Sequence, residues 1–305
     1  MRLTQKTGIL IAGAALAALV LAGCSSPAAG ADSSAPTKLS IVASTNVWGD
    51  VARRIAGDDV TVSSIISDPS QDPHSYEANA QVQLSLSKAD IVIENGGGYD
   101  DFVDTLLKSA NNSKATVLNA VTISGLEKAG SELNEHVWYD FPTVKKVAAR
   151  ITASLVKLDP SSASDFRANQ KTFDAALAKL QSDEAAIKAS SSAGAGVAIT
   201  EPVPLYLLEA SGLVNKTPAA FSKAIEDGTD VAPDVLRKTL ALFGDHTVKL
   251  LAYNEQTSGP ETEQVLAAAK AAKVAIVPVT ETLPKGKDYL GWMTDNIAAI
   301  TAALK

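Results

Sequence analysis

Between residues 164 and 189 the chain runs for 26 positions without a glycine or a proline. Phe166, Phe173, Leu180 and Ile187 recur there every seven residues, with Leu177 on the same side, so the spacing predicts one long helix with a single apolar stripe. At 1.5 Å per residue it would extend ~39 Å, enough to run down two domains. An ordinary surface helix of one domain is the alternative. The flanks favour a stiff connector, because each carries its own alternation of strand and helix signals.

Ahead of the connector, residues 39–43 form an apolar run ending at Ser44-Thr45-Asn46, which are suited to capping a helix. Val47, Val51 and Ile55 then recur at helical spacing until Gly57. Residues 60–66 are rich in β-formers, Val82, Leu84 and Leu86 belong to a helix, and residues 91–93 to a strand. Asn95-Gly96-Gly97-Gly98 is a break, Phe102, Leu106 and Leu107 mark a helix, and residues 116–118 a strand. A strong helix over 142–159 is interrupted by Pro160. Beyond the connector, strands are expected at 196–200, 248–253 and 274–279, and helices at 205–211, 232–243, 261–273 and 289–303. Such alternation implies parallel sheets covered on both faces. The expected fold is therefore α/β, with parallel-sheet lobes at 38–158 and 193–305 and a long rigid helix within 159–192. Ligands of such sheets bind beyond the carboxyl ends of the strands.

Residues 1–23 stand apart. Arg2 and Lys6 precede a small and apolar run from 8 to 22, laid out as a secretory signal peptide. That run is short of the ~20 apolar residues a membrane-spanning helix needs. It ends in Leu21-Ala22-Gly23-Cys24, which resembles a bacterial lipobox, in which the cysteine is lipidated and becomes the new N-terminus. Residues 24–37, made of small residues and proline, read as a flexible tether. Cys24 is the one cysteine, so neither a disulfide framework nor a thiolate metal site is open to the chain. Losing Arg2 and Lys6 leaves 25 basic against 34 acidic residues, a net charge of −9. That balance matches nucleic acid poorly and suits a cationic ligand.

Three histidines occur in 305 residues. His74 lies in DPSQDPHSYE, residues 68–77, where proline biases its neighbour towards extended geometry and sets the imidazole on a bent loop leaving a strand. His136 lies in Asn134-Glu135-His136-Val137-Trp138-Tyr139-Asp140, just before a helix. His246, in Gly244-Asp245-His246-Thr247, reads as a surface turn. Gly96-Gly97-Gly98 lacks the lysine and Ser/Thr of a phosphate loop and reads as a tight turn near the cleft.

Taken together, DPHSYE around His74, NGGGYDDF after the third strand and HVWYD around His136 resemble the metal-binding lipoproteins of zinc and manganese ABC importers, the cluster A-I substrate-binding proteins. The likeness covers essentially the whole mature chain. It implies two α/β lobes joined by one rigid helix, a metal held by two residues from each lobe, and no enzymatic activity. His74 and His136 match the N-lobe histidines. Glu201, after Val197-Ala198-Ile199-Thr200, takes the place of a third histidine, as in manganese-type members. Glu281, in Val279-Thr280-Glu281-Thr282, stands where the family usually has an aspartate, with Glu255 as its competitor. The implied protein is anchored through Cys24 at the extracytoplasmic face of the cell membrane as a monomer. It would capture Mn2+ or Zn2+ and pass it to a permease with its ATPase subunit. An adhesion role is also within the family's range.

The residue chemistry agrees. Imidazole suits zinc and manganese, and carboxylates favour oxygen-preferring ions. Residues 125–135 contain no histidine, whereas many zinc members carry a histidine- and acid-rich loop there, which tilts the expectation towards manganese. Two other classes compete. A zinc metallohydrolase would keep one coordination position for water, but the chain has no H-E-x-x-H helix and no nucleophile elbow. A binding protein or adhesin for a chelated metal or organic solute would line a wide cleft with aromatic and basic residues, and aromatics are only 5% of this chain.

Overall fold

Strand β1 (Leu39–Thr45) is buried from Ile41 to its end, as befits an inner strand of a parallel sheet with helices on both faces. In the computed structural model, which describes residues 38–68, 71, 76, 79–127, 133–190 and 192–305, it pairs with two neighbours. After it come α1 (Asn46–Ala56), β2 (Val60–Ile66), α2 (Ala80–Ser87), β3 (Ile91–Glu94), α3 (Phe102–Ala110), β4 (Thr116–Asn119) and α4 (Ala120–Ser124). The first sheet has the order β2-β1-β3-β4, with all pairs parallel. Thr45, within the stretch expected to cap the helix, holds the N-cap position of α1, extended and in register with Ile66, but its side chain makes no capping hydrogen bond. The Asn46 side chain accepts from the Leu283 backbone N–H at 2.9 Å.

A short 3-10 turn, Val137–Tyr139, leads into α5 (Phe141–Leu158). The Asp140 side chain accepts from Thr143 N at 3.0 Å, and Pro142 sits in the first turn, where no backbone donor is needed. Helix α6 (Ala163–Lys188) is 26 residues long. Phe166, Phe173, Leu177, Leu180 and Ile187 are buried, so the seven-residue stripe is its packed face.

The second half runs β5 (Gly196–Ile199), α7 (Leu205–Ala210), β6 (Val214–Asn215), α8 (Ala219–Glu226), α9 (Pro233–Gly244), β7 (Leu250–Asn254), α10 (Pro260–Ala271), β8 (Ala275–Val279) and α11 (Tyr289–Ala303). Its sheet, β6-β5-β7-β8, is also parallel and repeats the order of the first. The fold is thus two parallel-sheet α/β lobes with a long helix between them in the chain. One apolar cluster includes Ile41 and Ile93 of the first sheet, Val197 and Leu250 of the second, Phe173 and Leu177 of α6, and Tyr289 and Met293 of α11. Each large apolar side chain in it contributes ~1.5–3 kcal/mol of burial free energy. No helix among the described residues is long and apolar enough to cross a membrane.

Candidate metal centre

The pairing of the second sheet brings three polar residues to one edge. In register, Ile199 of β5 faces Ala252 of β7, and Asn254 of β7 faces Val279 of β8. Glu201 follows β5 by two residues and Glu281 follows β8 by two, so Asn254 lies between them at the carboxyl ends of the strands. All three are buried, Asn254 completely. The Asn254 amide donates to Glu201 and, at 2.8 Å, to Glu281 Oε1. Gln256 Oε1 accepts from the backbone N–H of Glu281 and of Thr282, which fixes the loop that carries Glu281.

His136 approaches from the first half. Three polar side chains set the loop ahead of the 3-10 turn. Asn95, at the end of β3, donates to the Glu135 carbonyl at 2.9 Å. Tyr206 donates to the Asn134 carbonyl at 2.7 Å, and Asn134 Nδ2 donates to the Pro202 carbonyl at 3.0 Å. That last bond orients the Asn134 amide, leaving its Oδ1 to accept from His136 N at 3.2 Å and from His136 Nδ1 at 2.8 Å. In the neutral imidazole the proton therefore sits on Nδ1, and Nε2 is the nitrogen left to meet a cation. Trp138 and Tyr99 stand edge-on to the imidazole at 5.0 and 5.9 Å between centroids. The Gly96-Gly97-Gly98 turn packs beside the same loop, where a Cβ on Gly97 would meet Leu133 and Glu135.

His136 Nε2 lies 3.5 Å from Glu226 Oε1 and 3.9 Å from Glu281 Oε2. Donor atoms of Glu135, His136 and Glu226 lie within 4.8 Å of one another, the one such metal-capable group among the described residues. Burial alone would push the His136 pKa down, but Glu281 and Glu226 outweigh it, and the net shift is upward. Glu201 is pushed up to about 8, chiefly by burial, then by the charge of Glu281 and less by that of Glu226, against the Asn254 hydrogen bond. Acidic groups are crowded around one imidazole, and a divalent cation would relieve their mutual repulsion.

The structure brings together three of the four residues expected as ligands: His136, Glu201 and Glu281. His74 and Cys24 lie outside the described residues. Glu255 and His246 are exposed. Sequence reasoning missed Glu226, Asn254 and Gln256. Glu226 carried one faint signal, being an acid in the last turn of a helix, where the macrodipole disfavours it.

Two parallel four-stranded sheets, a long connecting helix and a buried imidazole–carboxylate meeting between the halves define a helix-linked, two-lobed α/β class. The model of the ZnuA family, zinc-uptake complex component A periplasmic, matches residues 41–303, and the chain belongs to that family. The manganese ABC transporter substrate-binding lipoprotein scaA of Streptococcus gordonii is 30% identical over 178 residues, 55% of this chain and 57% of that protein. The manganese-binding lipoprotein MntA of Bacillus subtilis is 31% identical over 168 residues, 54% of each. The chain thus spans little more than half the length of these curated relatives. Among solved structures, the periplasmic zinc binding protein TroA from Treponema pallidum has a TM-score of 0.74 at 21% identity, covering 88% of this chain and 99% of that one. The periplasmic metal binding protein of Candidatus Liberibacter asiaticus has a TM-score of 0.70 at 19% identity, covering 88% and 100%. At these identities the likeness is one of fold.

Proposed function

We propose that the chain is the solute-binding component of an ABC importer for a divalent transition metal, Mn2+ or Zn2+, and that it is a carrier with no catalytic activity. His74, His136, Glu201 and Glu281 hold the cargo. The lobes are residues 38–158 and 193–305, with the linker within 159–192. Cys24 anchors the protein by lipid to the extracytoplasmic face of the membrane, and the loaded protein hands its ion to a permease served by an ATPase subunit. The observation that carries this reading is the approach of His136 Nε2 to Glu281, beside a Glu201 carboxyl raised to about 8. The relatives named for manganese support the same class of cargo.

An ion that binds only the folded protein stabilises it by RT ln(1 + [L]/Kd), about 4 kcal/mol at a thousandfold excess over Kd. Mn2+ or Zn2+ should therefore raise the Tm of residues 25–305 by several degrees. His136→Ala and Glu281→Ala should each lose most of that rise while remaining folded without metal. Glu255→Ala and His246→Ala should keep it. Full retention in Glu281→Ala, with loss in Glu255→Ala, would move the fourth ligand to Glu255.

A further inference from the structure

Glu226 ends α8, an element that supplies none of the four ligands proposed above, yet its side chain is only 11% exposed and reaches His136. The 3.5 Å between Glu226 Oε1 and His136 Nε2 has a specific meaning. Two donors each about 2.1–2.2 Å from a shared ion lie about 3.0 Å apart at the right angles of an octahedral site and about 3.7 Å apart at the 120° angle of a trigonal bipyramid, so 3.5 Å is within the span that one five- or six-coordinate ion can bridge. With Nδ1 turned to Asn134, Nε2 faces away from the loop, on the side where Glu226 and Glu281 lie. A cation on Nε2 would thus meet the Glu226 carboxylate without any movement of α8.

We propose that Glu226 is an additional cation-contacting carboxylate that raises coordination above four and biases the site towards Mn2+ over Zn2+. The inference rests on the metal-carrier reading. Zinc is satisfied by four tetrahedral donors and gains little from a fifth. Manganese prefers oxygen ligands and a larger coordination number, so a further carboxylate oxygen favours it selectively.

The test uses residues 25–305 carrying Glu226→Gln, with Glu226→Ala as a second variant should the first not fold. Dissociation constants for Mn2+ and Zn2+ come from competition with a chelator. Mn2+ affinity should fall about tenfold or more and Zn2+ affinity by much less. Co2+ loaded as a spectroscopic probe should give the weak visible absorption of five- or six-coordinate cobalt in the wild type, and a stronger, four-coordinate band in the variant. Unchanged affinities, or an equal loss for both ions with an unchanged Co2+ spectrum, would overturn the proposal. Glu281→Ala run in parallel separates the two readings. If it binds both ions normally, the carrier site itself is misplaced. If it loses them while Glu226→Gln is silent, the role of Glu226 alone fails.

Discussion

Asn254 is a neutral residue on which two carboxyl groups depend. Its single amide group donates to both Glu201 and Glu281, holding the two acidic side chains side by side at the sheet edge. Residues that orient metal ligands typically cost 10–100-fold in affinity when removed. Asn254→Ala should therefore weaken metal binding about tenfold or more in a chelator competition assay while leaving a cooperative fold, and unchanged affinity would show that the carboxylates orient themselves. Little of this was legible in sequence. Asn254 stands there only as the spacer before Glu255, and nothing local distinguishes a residue that bonds across two strand ends from one that faces water. His136, Glu201 and Glu281 were legible because their surrounding motifs resemble a family with known ligands. Glu226 was not, because its relation to His136 exists only once α8 packs against a loop 90 residues earlier in the chain.

At the scale of elements, α6 was the most legible piece, because a seven-residue apolar stripe survives any tertiary context. Strand β6 was missed: two residues, Val214–Asn215, are too short to show a period. Helix α8 was missed with it. In α2, Val82 and Leu86 are buried as their spacing implies, whereas Leu84 is 48% exposed, since an eight-residue helix buries one narrow face. The stripe of α6 also contains a departure from apolar character in Glu184, 5% exposed. Burial, and secondarily the charge of Asp140, pushes its pKa from 4.5 up to about 8. The folded state then binds this proton more tightly than the unfolded chain. Its contribution to stability is fully present below pH 4.5 and is lost as pH rises through about 8. In metal-free protein, Glu184→Gln should gain stability relative to wild type between pH 5 and pH 8, by on the order of 1–2 kcal/mol once solvent screening is allowed for. Urea unfolding at the two pH values measures this. The same difference at both would mean that Glu184 is ionised in the fold as it is outside it.

In the molecule as a whole, the two halves are already stitched together beside the site. Tyr289 donates to the Trp138 carbonyl at 2.6 Å, Tyr139 donates to the Thr280 carbonyl at 2.8 Å, and the Tyr289 backbone N–H meets Asp50 at 2.9 Å. Helix α11 shares the apolar cluster with α6 and with both sheets. Such a frame favours a site that is built before the ion arrives, with side chains rather than lobes making the final adjustment. The repeated strand order was not legible, because strand order depends on which crossovers close, and the two halves share no sequence repeat. The proposed cation sits between the halves, on His136 from one side and on carboxylates from the other. A crystal of residues 25–305 grown with Mn2+ and measured near the manganese absorption edge tests it most directly. A single strong anomalous peak is expected about 2.0–2.3 Å from His136 Nε2 and from carboxylate oxygens of Glu201 and Glu281. A peak on the exposed Glu255 or His246 instead, with none at His136, would contradict it.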